Sequence, residues 1–166
     1  VTVIFSEPVP ATGGRKVLVL EPMVGGSGGR YGADGADGRD SGIANLANNP
    51  IESVERDCSA RVKSFAIRVD SGGPGKWRGG HGLKLAFEVL TNDCNVLGRG
   101  MERFRFGPWG MEDGKSGQPF RVTVTRADGS QEEIGKIDVL TVGKGDIVTM
   151  LTPGGGGYGD PLERDL

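Results

Sequence analysis

Histidine occurs once, as His81, and cysteine twice, as Cys58 and Cys94. A nucleophile–base pair or a histidine-built metal centre needs more partners than one imidazole supplies. The two thiols are able to pair, but reduced, buried side chains in a cytoplasmic protein are the simpler expectation. Long apolar runs are missing as well. None approaches the roughly 18 residues that span a bilayer, and the opening residues lack the charged-then-apolar order of a signal peptide. Neither sign of charge dominates: 20 Lys and Arg face 22 Asp and Glu, for a net charge of −2. That balance gives neither the basic footprint of a nucleic-acid binder nor a polybasic membrane patch, so neither partner is expected.

What the chain has is glycine. Of 166 residues, 31 are glycine and 9 proline, while 36% are hydrophobic and 6% aromatic. A load of this size raises the choice between disorder and an unusual backbone architecture. Regular apolar runs between the glycine clusters argue against disorder. Strands are expected over 1–5, 16–20, 62–69, 83–90, 120–125, 134–142 and 146–151, with Asp128-Gly129 as a hairpin turn. One short helix is expected, with Asn49 as cap, Pro50 at the first helical position, Glu52 three residues after the cap, and an end near Asp57. The fold class is therefore mainly β, one domain over 1–166, with glycine-rich segments of polyproline II character.

One glycine stretch supports that last point, and a second shows how much glycine must be packed. Residues 32–40 read Gly-Ala-Asp, Gly-Ala-Asp, Gly-Arg-Asp, a period of three that suits polyproline II and neither helix nor strand. Glycines would line one face for close backbone approach, and Asp34, Asp37 and Asp40 a second, roughly 9 Å apart along the axis. The spacing is wrong for an EF-hand and only approximates a calcium β-roll repeat, so packed glycine with solvated or backbone-bonded aspartates is the simpler reading. Between two expected strands lies Asp70-Ser71-Gly72-Gly73-Pro74-Gly75-Lys76-Trp77-Arg78-Gly79-Gly80-His81-Gly82, far longer than a hairpin link needs. Ordering so much glycine is entropically costly, so something packed must hold it.

Catalytic chemistry is sparse in the residues themselves. Asp70, Arg78 and His81 are the candidates, because they project from the glycine-lined loop. Arg78 would either grip a carboxylate or phosphorylated intermediate bidentately or pin the loop to a carboxylate such as Glu88, and pinning is favoured. Asp34, Asp37, Gly72, Gly73, Gly79, Gly80, Tyr158 and Asp160 are expected to line the same region, with no metal ligand among them. Ser71 lacks the Gly-x-Ser-x-Gly setting of a nucleophile elbow. Residues 107–117, GPWGMEDGKSG, fail as a phosphate loop because Trp109 stands where the first glycine belongs. Gly154–Gly157 precede no helix and read as tight packing. Arg99, Arg103 and Arg105, interleaved with Met101, Phe104 and Phe106, are expected to serve internal ion pairs.

DSGGPGKWRGGHG at 70–82 resembles the signature of the hydantoinase B/oxoprolinase family, TPGGGGYGDPLERD at 152–165 resembles the segment near the family's C-terminal end, and the 25–40 stretch followed by Asn49–Glu55 gives a weaker third match. The three fall in family order. The resemblance implies β-sheets in a barrel-like arrangement with bundled polyproline II-like segments. It also implies that the chain is the C-terminal portion of a larger B-type subunit, which would account for its opening on Val1 rather than methionine. Such subunits belong to ATP-dependent hydantoinases and oxoprolinases or to acetone and acetophenone carboxylases. The resemblance further implies an ATP-binding hydantoinase A-like partner that carries ATP and Mg²⁺, a divalent metal in the N-terminal part of the chain's own subunit, and no cofactor on this segment. A non-catalytic structural β module and an independent Ca²⁺- or carbohydrate-binding β domain are the rival readings.

Overall fold

The structure, a computed structural model, describes residues 1–40, 46–100, 102–135 and 139–164. Among the described residues, nine strands and one α-helix follow in the order β1 (Thr2–Val9), β2 (Gly14–Pro22), α1 (Ile51–Asp57), β3 (Ala60–Arg68), β4 (Gly82–Val89), β5 (Cys94–Arg99), β6 (Arg121–Thr125), β7 (Gln131–Ile134), β8 (Leu140–Val142) and β9 (Ile147–Leu151). They form two antiparallel sheets, ordered β2-β1-β5-β8 and β3-β4-β9-β6-β7. The expected barrel-like arrangement takes the form of two open sheets sharing one core.

Alternation explains which face of each strand enters that core. Val3 and Phe5 of β1, Leu85, Phe87 and Val89 of β4, Val122 and Val124 of β6, and Val148 and Met150 of β9 are buried in one cluster. Phe5 meets Phe87 edge-on, ring centroids 6.3 Å apart, which ties the first sheet to the second. Full burial of side chains of this size stabilises by about 1.5–3 kcal/mol each. Cys58 and Cys94 are free and buried in the same core, and burial pushes each thiol up to about 11.

Three expectations need correcting. Asn49 does not cap α1: Pro50 holds that place without a side-chain bond, and the Asn49 amide instead donates to the Val19 and Leu20 carbonyls. The run 134–142 is not one strand, because β7 ends at Ile134 beside β6 while β8 pairs with β5 in the other sheet. Arg103 and Arg105 lie over the rings of Trp109 and Phe106, at 4.7 and 5.6 Å, and join no ion pair among the described residues. Met101 lies outside the described residues.

Four glycine-rich segments, 25–39, 70–82, 107–118 and 152–160, leave the sheets together and pack as a bundle with the last at its centre. A Cβ built on Gly154 would stand 1.9 Å from the Ser71 carbonyl oxygen, on Gly155 1.9 Å from that of Ser27, on Gly156 1.9 Å from that of Trp109, and on Gly157 2.1 Å from that of Pro74. Each successive glycine therefore faces a different neighbour. Positions three apart, Gly154 and Gly157, return to the same one at Ser71 and Pro74. That is the three-residue turn of polyproline II, and it explains a run of four glycines that no strand or helix would need. The triplets at 32–40 follow the period only in part. Gly35 packs against Ser27 and Gly80, whereas Gly32 and Gly38 take positive φ (80° and 51°) and turn the chain.

Candidate functional site

The bundle places the sequence's polar candidates around its exposed end. The 25–39 segment folds back on itself through reciprocal Arg30–Ala33 backbone bonds, 3.0 Å each way. Asp34 and Asp37 then point at the 70–82 segment. Arg78 donates through Nη1 and Nη2 to the two oxygens of Asp37 at 2.8 and 3.3 Å. Arg164 grips Asp34 with two bonds of 2.8 and 2.7 Å. The backbone N–H groups of Arg78 and His81 complete the arrangement, donating to Asp34 and Asp37 at 2.8 and 2.7 Å. The Arg164 guanidinium bonded to Asp34 and the Arg78 guanidinium bonded to Asp37 hold both carboxyls below their ordinary range.

Arg78 is thus pinned, and its partner is Asp37 rather than Glu88, which pairs with Lys63 at 3.4 Å. His81 is half-buried, and its Nδ1 accepts the Gly72 N–H at 3.2 Å, which leaves the other ring nitrogen to carry the proton in the neutral form. Asp70 stands apart. It turns the chain at φ 58°, is exposed, and its carboxylate has no hydrogen-bond partner among the described residues. The loop is closed instead by fully buried Ser71, whose Oγ donates to the Arg68 carbonyl at 2.6 Å and accepts the Gly82 N–H at 2.8 Å.

The four glycines predicted to line the loop face protein backbone. Cβ atoms on Gly72, Gly73, Gly79 and Gly80 would lie 2.0, 2.1, 1.9 and 2.0 Å from the carbonyl oxygens of Gly79, Lys115, Gly155 and Ala36. Asp160 caps the short turn Pro161–Glu163, accepting the Leu162 N–H at 2.9 Å. Tyr158 joins a row of large side chains across the bundle tip. Tyr31 meets Trp77 at a tilt with ring centroids 4.9 Å apart, Trp77 meets Tyr158 likewise at 5.8 Å, and Met111 is bridged to Tyr158 by its backbone. Tyr31 and Met111 are well exposed, as are the nearby Trp109 and Phe106. No group of three or more His, Cys, Asp or Glu converges on a metal-sized site among the described residues.

Sequence reasoning passed over Arg164, although it lies inside the 152–165 motif, because nothing local marks a partner 130 positions away. It also passed over Glu21. That carboxylate is buried in β2, with Oε2 accepting the Asn49 N–H at 3.2 Å and Oε1 without a partner among the described residues. Burial raises its pKa to about 7. A glutamate following an apolar strand carries no sequence signal of this kind.

Known proteins are similar to this chain in sequence and in fold. The sequence profile described as Hydantoinase B/oxoprolinase matches residues 2–161. An uncharacterized protein of Methanocaldococcus jannaschii is 46% identical over 93% of this chain and 27% of its own length. The B-type subunit of a putative D-/L-hydantoinase of Pseudomonas sp. is 34% identical over 88% of this chain and 25% of its own. The chain thus spans about a quarter of the length of these curated relatives. Among solved structures, an ATP-dependent caprolactamase from Pseudomonas jessenii superposes with a TM-score of 0.78 at 26% identity, covering 99% of this chain and 30% of the other.

Proposed function

This chain belongs to the hydantoinase B/oxoprolinase family, and from that premise we propose that it serves as the C-terminal part of the B-type subunit of an ATP-dependent cyclic-amide hydrolase. The observation that carries the reading is the near-complete superposition on an ATP-dependent caprolactamase together with the match to a hydantoinase B-type subunit. In this role the chain acts as scaffold and partner interface and contributes part of the active-site wall. It works in the cytoplasm and is inactive alone. ATP and Mg²⁺ sit on a hydantoinase A-like partner, and a divalent metal on the N-terminal part of the same subunit.

The residues divide by what they touch. Asp37 and Arg78 hold the 70–82 segment in place, and His81 is oriented through its bond to Gly72. They are positioning residues. Asp70, exposed and unpartnered among the described residues, is the carboxylate left free to act. The Tyr31–Trp77–Tyr158–Met111 row has the aromatic and thioether character of interface anchors, and it is the face we assign to the partner.

The test is native co-purification of the tagged chain from its source cells. Recovery of an ATP-binding A-type subunit and an N-terminal B-type portion, with ATP-dependent ring opening in the recovered complex, is the expected result. Recovery of a lone monodisperse domain would overturn the reading. If Asp70→Asn leaves assembly intact but lowers turnover, the chain lines the active site. If turnover is unchanged, its role is confined to scaffold and interface.

A further inference from the structure

Beside the aspartate–arginine network lies a cavity of about 370 Å³ whose wall includes Ser27, Gly28, Arg30, Ala36 and Arg39. We propose that this cavity binds the oxyanion head, phosphate or carboxylate, of a small organic molecule. The wall is built rather than loose. Ser27 N–H donates to the Ala36 carbonyl at 3.0 Å, Ala36 N–H to Ser27 Oγ at 2.7 Å, and Arg39 N–H to the Gly25 carbonyl at 3.0 Å. These bonds fix the two backbones from which Arg30 and Arg39 extend.

The charge balance of the wall decides its ligand. Asp34 and Asp40 also border the cavity; the Asp34 charge is offset by Arg164, while Asp40, which accepts the Leu46 N–H at 2.7 Å, keeps its charge, so Arg30 and Arg39 together leave the wall with one net positive charge. Arg30 and Arg39 take part in no ion pair or hydrogen bond through their guanidinium groups among the described residues, in contrast to Arg78, whose fork is filled by Asp37. The Gly28 N–H is likewise without a partner there. The position is open, since a Cβ on Gly28 would meet nothing nearer than 3.8 Å. Two exposed arginines and a backbone N–H bordering one cavity supply a donor set suited to an oxyanion, which accepts from several directions. An adjoining cavity of about 420 Å³ shares Ser27, Arg39 and Asp40 and is walled by Met23, Val24, Pro108 and Pro153. An apolar body attached to the anion has room there.

Amide NMR of the isotope-labelled chain, titrated at constant ionic strength with inorganic phosphate and separately with hexanoate, tests the site without any partner. Saturable shifts of Gly28, Arg30 and Arg39, weakened about tenfold or more in the Arg30→Gln/Arg39→Gln variant, are expected, since each lost charge-assisted bond costs about that factor. Saturation by phosphate alone would identify a phosphoryl ligand. Saturation by hexanoate, with shifts at Met23 and Val24, would identify a carboxylate with an apolar body. Absence of saturation with both probes, or equal shifts in wild type and variant, would overturn the proposal. The outcome is independent of whether an A-type subunit co-purifies, so the two readings fail separately.

Discussion

Gly155→Ala isolates the physical reason for the glycine run. A Cβ at this position would sit 1.9 Å from the Ser27 carbonyl oxygen and 2.3 Å from its carbon, where ordinary contacts begin at 3.4 Å. The obstacle is backbone, so relief requires one segment to move by about 1.5 Å rather than a side chain to swing aside. That displacement acts on bonds of 2.8–2.9 Å that meet at the same place: Gly155 N–H to the Gly80 carbonyl, Gly73 N–H to the Gly155 carbonyl, and Gly80 N–H to the Ser27 carbonyl. Overpacking costs about 1–3 kcal/mol, and each buried bond left unmade adds about 1–3 kcal/mol. One such bond lost brings the total to about 2–6 kcal/mol, a large part of the roughly 5–15 kcal/mol that stabilises a domain. At about 2–4 °C per kcal/mol, the melting temperature should fall by roughly 4–24 °C. Gly28→Ala is the control, since its Cβ would have no neighbour closer than 3.8 Å and no positive φ is involved. It should be neutral or slightly stabilising. Urea and thermal unfolding followed by circular dichroism compare the pair. Equal stability of Gly155→Ala and wild type would refute the close-packed bundle.

Two further predictions concern titration. Glu21, with its pKa raised to about 7 by burial, disfavours folding once ionised, so stability should decline as pH rises from about 4.5 through 7; Glu21→Gln should remove that decline and gain on the order of 1–3 kcal/mol at pH 8, and a pH-independent difference between variant and wild type would count against a buried, ionisable carboxylate. Asp37, whose pKa is lowered by Arg78, contributes stability that is present above its unfolded pKa of about 3.9 and lost as pH falls through the folded value. Asp37→Asn should therefore be less stable than wild type at pH 7 and converge with it under acid, measured by urea midpoints across that range. Parallel curves would show that the Arg78 contact is energetically silent.

The strand register and the ion network differ in how they are encoded. The strands of 60–68, 82–89 and 121–125 are legible because alternation is local: a residue and its neighbour two positions on share a face whatever the rest of the chain does. The same local logic found the hairpin at Asp128-Gly129 and the helix ending at Asp57. It failed at 134–142, where a continuous β-like composition conceals a change of sheet. It failed again at Asn49, whose amide found strand carbonyls 29 and 30 positions away in place of its own helix.

The sequence by itself determined the β class, the order of the glycine motifs and the family, since these depend on composition and on neighbours along the chain; the period of three that it suggested at 32–40 is broken there by Gly32 and Gly38 and is found instead at 154–157. Only the tertiary structure decided that Arg78 meets Asp37, that Arg164 meets Asp34, that Ser71 rather than Asp70 closes the 70–82 loop, and that Arg30 and Arg39 border the same cavity. Such pairings join segments with no shared periodicity. They are selected by which backbones lie close enough to exclude a Cβ, and that closeness arises only once all four glycine-rich segments are packed together.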